Sequence, residues 1–401
     1  MLTIGLIREG KTPEDRRVAL TPAQAARVQS TYPHVKIVCQ PSPHRCYTNE
    51  EYEKHGITIS EDMAACDVLM GVKEVPVDLL IPGKTYFFFS HTIKKQGYNK
   101  LLLQSILQKN ITLLDYEVLI DEYNKRVVAF GRFAGIVGAY NALWAFGQRY
   151  NLYSVKRAWK CHDLEELKNE LTKIKLPPIK IVLTGGGRVS KGALEILYGL
   201  NLRKVSPLDF VKLENHRAIF TQLNSRDYHK RKDGGPFARS HFFKHPEKYE
   251  SRFLRYAKKA DILIAGAFWD PRAPEMFTPE DMIKNNFHLK IIADISCDID
   301  GPIPSTVKAT TIQDPLYDFN PSDCTLEPPL SDEANVTVMA IDNLPNELPR
   351  DASEAFGEQL ITHVIPKLAT GKEHAMLENA TIAKNGSLTK TFEYLSEYVK
   401  A

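Results

Sequence analysis

The sequence holds no apolar run long enough to span a bilayer, and its N-terminal stretch, M-L-T-I-G-L-I-R-E-G, is too short in apolar residues for a secretory signal and reads as a strand. Cysteine is sparse: six in 401 residues, none in a C-x-x-C pair, which argues against a disulfide framework and for reduced thiols of the cytosol. Charge of one sign is also scarce. A net +3 is too small to argue for nucleic acid as a partner. No metal-ligand spacing is present, and His241 and His245, in a basic stretch, read as solvated. What remains is an ordinary globular composition, 43% apolar and 25% charged, with length for two or three domains.

The most informative stretch is K-I-V-L-T-G-G-G-R-V-S-K-G-A, residues 180–193. Ile181, Val182 and Leu183 form a short β-branched-rich run that reads as a buried parallel strand. Gly185, Gly186 and Gly187 follow, then a helical pattern through Ala193, Leu194, Ile196 and Leu197. Strand, glycine turn and helix is the context of a dinucleotide fingerprint: a pyrophosphate must approach backbone N–H groups at a helix start, where a Cβ would block it. Gly185, Gly187, Arg188 and Val189 are the candidate contacts. Ser190 replaces the third glycine and is small enough for close helix–strand packing.

Upstream, strands are expected at 3–8, 36–40, 67–72, 86–90, 111–114 and 126–130. Helices are expected from Pro22, from Glu50 with Asn49 as cap, and over 95–109, so this region reads as an α/β domain of its own. Residues 131–150, with Gly135, Gly138 and Ala142 among large apolar residues, predict a closely packed helix crossing between domains. Residues 155–179 read as charged helix stopped by Pro177-Pro178. Strands are expected at 261–267, 290–296 and 336–341, and the polar segment 207–258, between them and the glycine-loop unit, reads as a solvated insertion rather than a partner-binding surface. A helix over 352–369 carries the stripe Ala355, Phe356, Leu360, Val364 and Leu368 and looks like the chain returning to the first domain. Two short helices are expected beyond Gly371.

Two docked α/β domains would make a cleft, lined by polar residues at strand ends. Lys73 ends an apolar strand, where partial desolvation can lower its pKa toward that of a base. His91 follows the aromatic run Y-F-F-F-S and carries the usual acid/base chemistry near neutral pH. Arg17, Lys94 and Arg126 add positive charge suited to carboxylates, while Glu74 and Glu117 could hold an ammonium group or tune Lys73.

These segments resemble the lysine-forming saccharopine dehydrogenases and the lysine–ketoglutarate reductase half of the bifunctional plant and animal enzyme, within the alanine dehydrogenase and transhydrogenase superfamily. The likeness rests on R-R-V-A-L-T-P (16–22), G-V-K-E (71–74), F-F-S-H-T-I-K (88–94), L-L-D-Y-E (113–117), R-V-V-A-F-G-R-F-A-G (126–135), T-G-G-G-R-V-S-K-G-A (184–193), H-P-E-K-Y (245–249), A-D-I-S-C-D (293–298) and I-D-N-L-P-N-E-L-P (341–349). It implies an α/β protein of two domains, each a mainly parallel sheet with flanking helices. A discontinuous catalytic domain, 1–134 plus 342–401, would enclose a Rossmann domain at 135–341, and domain closure would exclude water from the site. It implies Lys73 and His91 as the acid/base pair. Arg17, Gln96, Arg126, Phe130, Asp294, Ile295 and Ser296 would contact substrate. Gly187, Arg188, Phe268, Ile341, Asp342, Asn343 and Leu344 would contact the cofactor, with Phe268 standing where many relatives have tyrosine.

The implied reaction joins L-lysine to 2-oxoglutarate with NAD(P)H, giving saccharopine, or runs in reverse. Partners are then small molecules, with neither nucleic acid nor membrane, and a homo-oligomer stays open. The alternatives are an alanine dehydrogenase-like enzyme, an N-carboxyalkyl amino-acid synthase, or a non-catalytic nucleotide-binding protein. For the nucleotide, the strand after the glycine loop reads L-R-K-V-S-P (202–207), and Ser206 stands where an NAD enzyme places its ribose-binding acid. With Arg203 and Lys204 alongside, that tips the expectation to NADP(H) over NAD(H).

Overall fold

The computed structural model describes residues 1–284 and 286–400. The chain forms two compact units, Met1–Phe130 with Pro349–Ala401, and Gly131–Leu348. In chain order the first unit supplies β1 (Leu2–Leu6), β2 (Val35–Cys39), β3 (Thr58–Ile59), β4 (Val68–Met70), β5 (Thr85–Phe88) and β6 (Thr112–Asp115). The second supplies β7 (Lys180–Thr184), β8 (Arg203–Lys204), β9 (Ile219–Leu223), β10 (His229–Arg231), β11 (Tyr249–Ser251), β12 (Ile262–Ala265), β13 (Ile291–Asp294), β14 (Tyr317–Asn320), β15 (Thr325–Glu327) and β16 (Val336–Met339). The chain then returns to unit 1 with β17 (Thr381–Lys384) and β18 (Ser387–Leu388).

Unit 1 is an eight-stranded sheet in the order β18-β17-β6-β5-β4-β1-β2-β3. From β6 to β3 every pairing is parallel, so the carboxyl ends of β1, β4, β5 and β6 share one edge. Thr21 begins the helix Pro22–Thr31 with a capping box closed by Gln24. Gln24 also donates to the Glu354 carbonyl at 2.8 Å, tying this helix to the returning helix Pro349–His363. Phe356 and Leu360 of that helix are fully buried among Tyr116, Phe87 and Phe89. The expected 352–369 helix is two helices, Pro349–His363 and Ile365–Ala369, because Pro366 removes an amide and crowds the preceding turn.

Unit 2 is an eight-stranded sheet in the order β15-β14-β16-β13-β12-β7-β9-β8, parallel from β16 to β8, with the hairpin β10-β11 beside it. The helix Gly131–Arg149 lies wholly in unit 2 rather than bridging domains, and it packs on the glycine-loop helix Arg188–Gly199. Two glycines permit that crossing. A Cβ on Gly135 would lie 1.8 Å from the Val189 carbonyl oxygen, and one on Gly192 would lie 1.9 Å from that of Arg132. The compact units divide at 130/131 and 348/349, so this helix is not cut. Nor is the turn ending at Leu348, where Glu347 accepts from Asn141 at 2.7 Å.

Several expected elements differ. Residues 126–130 form no strand beyond a single bridge from Arg126 to Ile120. Thr48, not Asn49, caps the helix Asn49–Lys54. The 155–179 segment is helical only over Leu164–Leu171, apart from a single 3-10 turn. Beyond Gly371 the two expected short helices are present, Ala375–Asn379 and Ser396–Lys400, but the hairpin β17-β18 lies between them, its four- and two-residue strands too short to show a period. The polar segment 207–258 is not a solvated insertion throughout. It contains β9, buried at four of five positions and directly beside β7.

Candidate functional site

The carboxyl edge of unit 1 gathers the residues expected to do chemistry. Lys73 and Glu74 follow β4, and His91 follows β5 in a left-handed conformation with φ of 52°. His91 Nδ1 lies 2.6 Å from Glu74 Oε1, and Lys11 Nζ lies 2.9 Å from Glu74 Oε2. Burial alone would raise the Glu74 carboxyl, but the hydrogen bond and charge of His91, with Lys11, pull it down to about 2. An anionic Glu74 fixes the ring of His91 and leaves Nε2 as the nitrogen free of that bond.

Glu9, after β1, buttresses Lys73. Its two carboxylate oxygens accept the backbone N–H groups of Val72 and Lys73, each at 2.7 Å. Burial, with the nearby charge of Asp15, raises the Glu9 carboxyl to about 8. The Lys73 ammonium is shifted down from its usual range, first by burial and then by the neighbouring charge of Arg17. That is the direction a proton-transfer group near neutral pH needs.

Arg17 is buried, paired through Nη2 with Asp15 Oδ2 at 2.5 Å, with its guanidinium 4.2 Å from the ring of Phe130. Phe130 stacks on Phe356 at 4.4 Å. Phe89 links these groups: its ring lies 6.4 Å from that of His91, 6.0 Å from Phe130 and 5.4 Å from the Arg126 guanidinium. Glu117, after β6, stands 3.7 Å from both Lys94 Nζ and Arg126 Nη1. Gln96 is exposed and accepts from Tyr98 at 2.6 Å. Glu9, Lys11 and Asp15 were not singled out from the sequence, because they lie in a charged turn with no period. Asp115 was also missed; its carboxylate accepts the Ser90 amide at 3.0 Å and holds the backbone just before His91.

The remaining expected residues lie in unit 2. Gly185 turns out of β7 at φ of +95°, a conformation side chains resist, and a Cβ there would stand 2.7 Å from Ser190 Oγ. Ser190 is buried and donates to the Thr184 carbonyl at 3.0 Å. Around Gly187, the position before the helix Arg188–Gly199, an added Cβ would meet nothing within 4 Å. This open backbone at a helix start fits a dinucleotide pyrophosphate, with Arg188 and Val189 in the first turn. Phe268, beyond β12, is 86% exposed. Asp294 ends β13, buried and bonded by Ser296 Oγ at 2.7 Å. Ile295 packs against Gly138. Ile341 and Leu344 are buried, while Asp342 is exposed and Asn343 half-buried.

Ser206 requires a correction of position. β8 is the edge strand, and β9 lies between it and β7. The strand that Ser206 follows therefore does not adjoin the glycine-loop strand. Ser206 instead caps the helix Pro207–Lys212, its Oγ donating to Asp209 Oδ2 at 2.8 Å and accepting the Asp209 amide at 3.1 Å.

Among the described residues no helix is long and apolar enough to cross a membrane. All six cysteines are free.

Two family models match, that of the alanine dehydrogenase/PNT N-terminal domain over residues 5–137 and that of the C-terminal domain over 168–394. The alpha-aminoadipic semialdehyde synthase of Arabidopsis thaliana is 31% identical over 99% of this chain and 42% of its own length. The mitochondrial one of Bos taurus is 30% identical over 98% and 47%. The chain thus spans about half the length of these relatives. A saccharopine dehydrogenase [NAD(+), L-lysine-forming] of Yarrowia lipolytica is 28% identical over 90% of each chain. Among solved structures, an L-alanine dehydrogenase shares the fold with a TM-score of 0.68 at 15% identity, covering 99% of this chain and 100% of its own. With the two models together matching most of its length, the chain belongs to the alanine dehydrogenase/PNT family.

Proposed function

We propose that the chain is an NAD(P)-dependent oxidoreductase acting on a C–N bond, the lysine-forming saccharopine dehydrogenase or lysine–ketoglutarate reductase. It would join the ε-amine of L-lysine to the keto carbon of 2-oxoglutarate and reduce the product to saccharopine, or run in reverse. The observation that carries this reading is the Glu74–His91 pair beside a desolvated Lys73, at one sheet edge with Arg17 and Arg126. The activities of its relatives support it, as does their coverage of this chain.

In this reading unit 1 handles the organic substrates and unit 2 the nucleotide. The nicotinamide, when bound, supplies hydride to the imine carbon or accepts it in reverse. Before that, amine attack on the keto carbon gives a carbinolamine, which loses water. That sequence needs a proton delivered to the departing oxygen and one taken from the amine. Lys73 and His91 are two groups of different basicity placed for it, with Glu74 holding His91 in orientation. Arg17 and Arg126 bind carboxylates of the two acids, and Phe130 fixes the Arg17 plane.

The test is a substrate panel followed by nucleotide absorbance. Lysine with 2-oxoglutarate should turn over at least tenfold faster than alanine formation from pyruvate and ammonia, or than ornithine with pyruvate. Preference for either of those pairs would assign the chain to another amino-acid oxidoreductase of the family. Binding of nucleotide without turnover on any pair would favour the non-catalytic alternative.

A further inference from the structure

We propose that this chain selects its nucleotide through Asn224 and Arg226, with Arg226 holding the 2′-phosphate of NADP(H). The inference rests on the reading of unit 2 as the nucleotide unit and adds the residues that set preference within it.

The argument begins with strand order. In a dinucleotide fold of strand order 3-2-1-4-5-6 the adenosine ribose meets whatever follows strand 2, the neighbour of the glycine-loop strand on the side away from strands 4 to 6. Here β12 and β13 occupy that other side. The counterpart of strand 2 is β9, paired with β7 from Lys180↔Ile219 to Thr184↔Leu223. The register continues past both strands. The Gly185 amide donates to the Leu223 carbonyl at 2.8 Å, and Gln222 Nε2 donates to the Gly185 carbonyl at 2.8 Å. Asn224 Oδ1 lies 3.1 Å from where a Cβ of Gly186 would stand. The residues after β9 therefore flank the glycine turn, whereas Ser206 lies one strand farther out and is committed to its helix cap.

Charge gives the preference. Residues 222–226 read Gln-Leu-Asn-Ser-Arg, with no acid where an NAD site offers a carboxylate to the 2′-hydroxyl. The next acid, Asp227, is drawn into the backbone: its Oδ2 accepts the Asn224 amide at 2.7 Å in a reciprocal capping box. Arg226 has 73% of its side chain exposed, and its Nε stands 4.0 Å from Asp227 Oδ1, too long for a hydrogen bond. Lys204 reaches the same edge, its Nζ 2.7 Å from Gln222 Oε1. The segment after β9 thus brings a neutral amide, Asn224, to the glycine turn, with Lys204 held on Gln222 and the exposed Arg226 two residues farther along the chain. Beside them, Ser225 lines an open surface depression with Tyr228, Phe243, Phe268, Trp269 and Asp270, and the ring of Phe268, 86% exposed, is a face of the kind a purine stacks on. The adenosine end then has a wall for its base and a cationic corner for its 2′-phosphate.

The experiment measures binding of NADPH, NADH, adenosine 2′,5′-bisphosphate and ADP to the full chain by calorimetry. The unmodified protein should bind each 2′-phosphate compound more tightly than its partner. Arg226→Ala should weaken NADPH and the bisphosphate by roughly 10- to 100-fold while leaving NADH and ADP within about twofold, since one charge-assisted contact is lost. Asn224→Asp should move preference toward NADH, and Ser206→Ala should leave it unchanged. Equal loss of all four ligands in Arg226→Ala, loss specific to Ser206→Ala, or tighter NADH than NADPH binding in the unmodified protein would overturn the proposal while leaving unit 2 a nucleotide unit. Binding of none of the four would overturn both.

Discussion

In unit 1 the carboxyl ends of β1, β4, β5 and β6 carry Glu9, Lys73, His91 and Glu117; in unit 2 those of β7, β9, β12 and β13 carry Gly185, Asn224, Gly266 and Asp294. The sheets are alike, eight strands each with a parallel centre, yet one edge is a network of titratable side chains and the other offers mostly backbone. A parallel sheet explains why both edges are usable: its carboxyl ends lie together and the loops leaving them are free of packing duty. What each edge does is then set by side-chain chemistry. Charges held within 3 Å of one another in unit 1 tune protons. Absent side chains in unit 2 leave backbone open at the start of the helix Arg188–Gly199.

The largest effect that would sharpen this contrast is on turnover. His91→Ala or Lys73→Met should lower kcat on the true substrate pair roughly 100-fold or more, because positioned proton transfer contributes at least that much, while nucleotide affinity stays unchanged. Near-full turnover in both variants would remove the acid/base role from unit 1.

Next is the crossing of the helices Gly131–Arg149 and Arg188–Gly199. Gly192→Val puts a side chain onto the Arg132 carbonyl and should destabilise unit 2 by about 3 kcal/mol. Hydrogen exchange should show the loss in unit 2 amides, with unit 1 amides keeping their protection. Uniform loss would mean the units do not unfold separately.

Arg17→Lys keeps the charge but loses the planar fork and its stacking on Phe130. The KM for 2-oxoglutarate or lysine should rise about tenfold, with the nucleotide constant unmoved. Unchanged constants for both organic substrates would take Arg17 out of the site.

The smallest effect is on pH dependence, where the units should differ in sign. Glu9 has a folded pKa raised to about 8 from an ordinary 4.5, so the native state binds the proton that the unfolded state has lost. Its contribution to stability is full below pH 4.5 and falls as pH rises to about 8. His229 in unit 2 is buried and pushed down to about 4 from 6.5, so its contribution is full above pH 6.5 and is lost as pH falls to about 4. Amide exchange followed across this range should show opposite slopes, flattened in unit 1 by Glu9→Gln and in unit 2 by His229→Leu. Slopes of one sign in both units would show that other groups dominate.

The sequence by itself determined a good deal. Apolar runs ending in polar clusters marked β1, β4, β5 and β7, and chemistry placed at their ends identified Lys73, His91 and Gly185 as candidates. Those readings work because a buried parallel strand is a local pattern, legible without its neighbours. The residues that act through others were not legible. Glu9 supports Lys73 across 64 positions, and Asp115 supports Ser90 across 25, contacts that exist only once strands pair. Strand order was hidden for the same reason. Counting about 20 residues from the glycine loop reached Ser206, but the ribose position belongs to the strand adjacent in space, and A-I-F-T-Q-L at 218–223, a short apolar run inside a segment read as polar, was not read as a strand. Only hydrogen bonding between segments 35 or more residues apart, a tertiary event, put β9 beside β7 and moved that position from Ser206 to Asn224.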